Sequence, residues 1–160
     1  MALKNFLVTG GAGFIGSNLV KELIKDSNNN IFVFDNLSTG RSSNLLIDNK
    51  RCKFFQIDLK TSFMEWPEIN NLDTIFHFAA NADVRGGEKN REIDFIENVI
   101  VTKSICDYAS IMKVKKVAFA SSATVYGEPE IFPTPEASIN LQTSVYGASK
   151  LAGEAYLQAY

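Results

Sequence analysis

Between residues 10 and 16 the chain reads Gly10-Gly11-Ala12-Gly13-Phe14-Ile15-Gly16, and so much glycine belongs where a backbone turns sharply or meets another group closely. The flanks say which. Asn5-Phe6-Leu7-Val8-Thr9 before it is a short apolar run of strand type. After it, Ile15, Leu19, Leu23 and Ile24 recur at helical spacing with Lys21, Glu22 and Lys25 opposite, which predicts an amphipathic helix to about Asp26. A helix that starts at the glycines points its free amides and the positive end of its dipole outward, a seat for a pyrophosphate. Gly11, Gly13 and Gly16 satisfy the dinucleotide spacing, and Gly10, Gly13 and Gly16 satisfy a shifted variant of it.

Beyond the turn Asn28-Asn29-Asn30, a second apolar run, Ile31-Phe32-Val33-Phe34, closes on Asp35. That acid stands roughly 20 residues past the last glycine, where a carboxylate holds ribose hydroxyls. The same charge repels a 2′-phosphate, so NAD is expected over NADP, with Arg41 the one neighbour that favours the other. Lys53–Ile57 reads as a third strand ending at Asp58, and Asp73–Phe78 as a fourth ending at Ala79-Ala80. A long helical pattern over about Arg91 to Met112 places Ile93, Ile96, Val99, Ile100 and Ile105 at its apolar positions. The fifth strand, Lys116–Ala120, delivers Ser121 and Ser122. Strands alternating with helices predict an α/β fold, a Rossmann-type doubly wound parallel sheet with helices on both faces. Ligands then bind beyond the carboxy ends of the strands.

Near the far end, Tyr146-Gly147-Ala148-Ser149-Lys150 puts a phenol and an ammonium on one face of a helix expected to begin around Ser144 or Tyr146. A tyrosine near pKa ~10 is a poor base at neutral pH, and an adjacent cation lowers that value. Read alone, the pair is also explained by ordinary decoration of a helix surface. A dinucleotide loop at the other end of the chain gives it chemistry to take part in. The segment from Gly127 to Tyr146, with Pro129, Pro133 and Pro135, predicts an irregular loop.

Composition removes several other classes. With 160 residues, 46% hydrophobic and 21% charged, the chain suits one domain with a real core. Its apolar runs fall short of the ~20 residues of a membrane span, and Met1-Ala2-Leu3-Lys4 leads into a strand without a signal core. A net charge of −2 without a basic run argues against nucleic acid, Lys113, Lys115 and Lys116 being read as a helix carboxy end. Cys52 and Cys106 match no metal or redox motif, which suggests two free thiols, a cytoplasmic location and no metal. His77, the single histidine, sits inside an apolar strand and is expected to be a packed or hydrogen-bonded core residue, not a base. Tyr126 is expected to be structural, and Trp66-Pro67 to cap a short helix.

With Thr9 to Gly16, Asp35, Ser122 and the Tyr146/Lys150 pair in this order, the chain resembles the extended short-chain dehydrogenase/reductase family over essentially all its length. Within that family it is most similar to the NAD-dependent nucleotide-sugar epimerases of the UDP-glucose 4-epimerase type. The stretch Ser121-Ser122-Ala123-Thr124-Val125-Tyr126-Gly127 is the most diagnostic. Dehydratases of the family usually carry an Asp-Glu pair before the Val-Tyr-Gly, and related decarboxylases an acid. Ala123 and Thr124 stand there instead, so the resemblance implies an epimerase.

It further implies Tyr146 as base, Lys150 as its tuner and a ligand of the nicotinamide ribose, and Ser122 as a partner of the reacting sugar oxygen. NAD would be held by Gly10, Gly13, Phe14, Ile15 and Gly16, and by Asp35 and Asn36 at the adenosine ribose, with Ser38 and Gly40 following. Asp58 and Leu59 would meet the adenine, Phe78, Ala79 and Ala80 would line the cofactor, and Asn98 would support the loop or cofactor. The implied partners are a UDP-hexose and a second copy of the chain, the long helix and the Tyr146 helix forming the dimer contact. Family members add a carboxy-terminal substrate region, and none follows Tyr160, so residues 1–160 are expected to be the NAD-binding amino-terminal domain of a longer enzyme. A nucleotide-binding module without turnover, and a dehydratase or reductase of the same family, stay open as alternatives.

Overall fold

The computed structural model describes residues 3–45, 49–84, 89–139 and 141–160. Strands β1 (Lys4–Thr9), β2 (Asn29–Asp35), β3 (Cys52–Gln56), β4 (Leu72–His77) and β5 (Lys116–Phe119) form one sheet in the order β3-β2-β1-β4-β5. Every neighbouring pair is parallel. The order reverses between β1 and β4, and their carboxy ends there carry Gly10 and Ala79.

Side chains alternate across a strand, so the unbroken apolar runs of β1 and β2 bury both faces. Val8, Ile31 and Val33 pack with Val20 and Ile24 from α1 (Phe14–Leu23) and its carboxy end. On the other face Leu7, Phe34 and Ile75 meet Val101, Ile105 and Tyr108 of α2. Helix α2 is continuous from Arg91–Asp94 through a π-helical stretch, Phe95–Ile100, into Val101–Ile111. α3 (Val145–Ala159) lies beside it.

Two boundaries differ from the sequence expectation by more than one residue. α1 ends at Leu23, short of Asp26, and β2 already begins inside the asparagine run. Arg51 explains both, because its guanidinium donates to the carbonyls of Ile24, Asp26 and Asn29 at 2.8–2.9 Å and so absorbs the open helix end. Asn29 Nδ2 adds a bond to Leu23 O at 2.8 Å.

Trp66 follows a 3-10 turn, Phe63–Glu65, as the expected cap, and it is also core. Its ring meets Phe34 and Phe63 edge-on and lies 5.4 Å from the ring of Tyr108. The Tyr108 hydroxyl donates to Pro67 O at 2.6 Å, tying the β3–β4 connection to α2. Cys52 and Cys106 are free and buried. No helix among the described residues is long and apolar enough to cross a membrane, and no group of three or more metal-ligating side chains gathers there. Trp66→Ala is expected to cost about 3–5 kcal/mol, read as a lower urea midpoint of unfolding.

Candidate active site

The glycine loop is shaped by its own backbone. Gly10 has φ +65°, its amide donates to Phe34 O at 2.9 Å, and a Cβ there would lie 2.7 Å from Ala79 N. A Cβ on Gly16 would collide with the Gly10 carbonyl oxygen. Gly13 donates to that same carbonyl at 3.1 Å and forms the amino cap of α1 with no side chain over it. Asp35 clamps the loop from β2: Oδ2 accepts from Ala12 N–H at 2.9 Å, and Oδ1 from Leu37 N–H at 2.8 Å.

These residues form one side of a cleft of about 400 Å³. Gly10, Gly13, Phe14, Ile15, Gly16, Asp35, Asn36 and Ser38 line it, as do Asp58, Leu59, Phe78, Ala79, Ala80, Tyr146 and Lys150. Three candidates lie off its wall. Gly40 packs against Ala12, Ser122 caps the 3-10 turn Ala123–Tyr126, and Asn98 is buried behind the wall. Thr39, Ile57, Ala82, Glu97, Val101, Ala120 and Ser121 also line the cleft and were not anticipated. Ser121 and Ser122 follow one strand end, and nothing in the sequence says which hydroxyl turns inward. Ser121 Oγ bonds to Glu154, while Ser122 Oγ accepts from Thr124 N–H at 3.2 Å and from Thr124 Oγ1 at 2.9 Å.

Ser144 starts α3 by accepting from Gly147 N–H at 3.0 Å, which sets Tyr146 and Lys150 in its first turns. Lys150 is 3% exposed. Its Nζ donates to Ala120 O at 3.0 Å and lies 5.0 Å from the Phe119 ring centre and 5.8 Å from that of Tyr146. Burial pushes the Lys150 ammonium down to about 8, against the opposing pull of the Asp94 carboxylate. The expected depression of the Tyr146 phenol is not found. Burial raises it above its ordinary value and Asp94 adds to that, while the Ser122 side chain works in the other direction. Burial outweighs the rest, and the Lys150 Nζ, 5.8 Å from the ring centre, is hydrogen-bonded to Ala120 O instead of the phenol.

His77 is a core residue, as expected. Its Nδ1 is hydrogen-bonded with Thr9 Oγ1 at 2.7 Å and its Nε2 with Thr102 Oγ1 at 3.1 Å, and its ring stacks on Phe119. Burial, and then the nearby Lys150 charge, push it down to about 3. Because the folded value lies below the unfolded ~6.5, stability is complete above pH 6.5 and is lost as pH falls toward 3. The loss at pH 5 amounts to about 2 kcal/mol. His77→Gln, measured by urea unfolding between pH 7 and pH 4.5, should flatten that dependence.

Open amides in the first turn of α1 with no side-chain cap, glycines where a Cβ would break the loop and an acid at the end of β2 fit a dinucleotide. Residues 6–160 match the model of the NAD dependent epimerase/dehydratase family. A putative UDP-glucose 4-epimerase of Methanocaldococcus jannaschii is 37% identical over 157 residues, 96% of this chain and 50% of that protein. A crystal structure of UDP-galactose 4-epimerase superposes with a TM-score of 0.87 at 41% identity, covering 98% of this chain and 51% of its own. The UDP-glucose 4-epimerase of Thermus thermophilus, solved in complex with NAD, superposes with a TM-score of 0.84 at 34% identity, covering 98% and 50%. The chain therefore spans about half the length of the proteins it matches. Likeness that runs unbroken from residue 6 to residue 160, and through the sheet in space, has one reading: the chain belongs to the NAD dependent epimerase/dehydratase family.

Proposed function

We propose that residues 1–160 form the NAD-binding part of a nucleotide-sugar epimerase that inverts C4 of a UDP-hexose, UDP-glucose and UDP-galactose being the pair. The observation that carries this is the presence of Tyr146 and Lys150 on the wall of the cleft that the glycine loop and Asp35 also line. In this reading the amides from Phe14 to Gly16 hold the pyrophosphate, Asp35 and Asn36 the adenosine ribose, and Asp58 and Leu59 the adenine. NAD held there would supply the hydride acceptor for oxidation at the sugar carbon and the donor for its reversal.

The protein's part is to move one proton and hold geometry. Tyr146 takes the proton of the sugar hydroxyl, and Lys150 keeps a positive charge over its ring. Without a further cation the phenol is held protonated, so the base forms when positive charge enters the cleft beside it. Ser122 supports the phenolate and meets the sugar oxygen. A dehydratase would need an acid and a base after that serine. Ala123 and Thr124 offer no carboxyl, and Thr124 Oγ1 is committed to Ser122.

A homodimer belongs to the same proposal. Phe95 and Ile100 on α2 and Tyr156 on α3 are 49%, 39% and 38% exposed, apolar surface of the kind a partner copy would cover.

In the intact protein, Tyr146→Phe should lower epimerisation by about 10²–10⁴-fold with NAD still bound, and retained turnover would refute the base. Gly16→Ala should weaken NAD binding at least about tenfold by calorimetry, because the new methyl forces the Gly10 carbonyl out of place.

A further inference from the structure

Asp94, on the first turn of α2, is fully buried. Its Oδ1 accepts from Asn81 Nδ2 at 2.8 Å and from Asn98 Nδ2 at 3.4 Å. Its Oδ2 is equally buried and has no hydrogen-bond partner among the described residues. A carboxylate taken out of water with half its acceptor capacity unused is costly unless opposite charge lies near. The groups around it form a chain that ends at the candidate base. Asn98, in the π-helical stretch, accepts from Asn81 N–H at 2.8 Å and donates to Ser149 Oγ at 2.8 Å, and Ser149 Oγ donates to Tyr146 O at 2.7 Å. This links the loop after β4, the bulge of α2 and the first turn of α3.

We propose that Asp94 is a positioning residue for Tyr146 and Lys150: its side chain pins Asn81 and Asn98, through Ser149 it fixes the first turn of α3, and its charge balances the buried Lys150 ammonium. The proposal rests on the assignment of that pair made above. Removing Lys150 or Tyr146 from the chemistry would leave the hydrogen-bond chain intact and without a task.

Lys150 is faced by His77 on β4, which burial keeps neutral, by the Phe119 ring and Ala120 carbonyl at the end of β5, and by Tyr146 on its own helix. Tyr146 is faced by Ser122 and Asp94. Glu97, the next acid along α2, is held by Lys60 at 2.7 Å. Asp94 is thus the negative group that acts on both members of the pair, raising Lys150 and Tyr146 alike.

The test is an NMR titration of Lys150 and Tyr146 in the intact protein with isotope-labelled lysine and tyrosine, assigned with Lys150→Met and Tyr146→Phe. In Asp94→Asn, which keeps the shape and loses the charge, both groups should titrate at lower pH than in the native protein. A purely structural role makes the opposite prediction for lysine, because a loosened site lets water in and returns Lys150 from about 8 toward its ordinary 10.5. A Lys150 midpoint that rises or stays put overturns the proposal. Asp94→Ser, smaller and also uncharged, must give the same fall and guards against a variant that does not fold. Turnover retained in Tyr146→Phe would remove the base and leave the response of Lys150 to Asp94 standing, so the two readings fail separately.

Discussion

An ammonium held away from water at the centre of the site sets terms that the rest of the structure has to meet. Lys150 loses most of its hydration, and the protein returns part of it through the Ala120 carbonyl, the Phe119 ring and the distant charge of Asp94. Each of these comes from a different element. α3 must therefore lie close to the end of β5, and α2 must bring its first turn up behind it. The same dry region drives Tyr146 up and His77 down, so these two and Lys150 all move toward their neutral forms.

The sheet explains why these groups meet. Parallel strands point all their carboxy ends one way, so residues distant in sequence arrive on one edge. β1 ends at the glycine loop, β2 at Asp35, β3 just before Asp58, β4 just before Ala79 and β5 just before Ala120. The Thr9–His77–Thr102 bonds then lock the middle of that edge to α2. With His77 neutral, this lock adds no charge of its own to the cleft.

Much of this was legible in the residue order because it is local. Apolar runs of strand length, the glycine spacing and an acid at the end of the second run report on backbone conformation directly. What escaped is tertiary. Asp94 looks like any acid in a first helical turn, favourable to the dipole, and only the packing of α2 on α3 buries it. The π-helical stretch that carries Asn98 leaves no mark in a helical periodicity. Spacing put Lys150 and Tyr146 on one face, yet it could not say that Nζ would turn to Ala120. The helix end at Leu23 depends on Arg51, a residue from another part of the chain.

Asp35 has both oxygens engaged with backbone amides on either side of the loop, at Ala12 and Leu37. The carboxylate expected to disfavour a phosphorylated ribose is therefore also a structural rivet. Replacing it with a small neutral residue would leave the Ala12 and Leu37 amides without their acceptor and loosen the glycine loop. The rigidity of the glycine loop thus hangs on the Asp35 carboxylate, and any exchange of that residue requires new acceptors for Ala12 and Leu37.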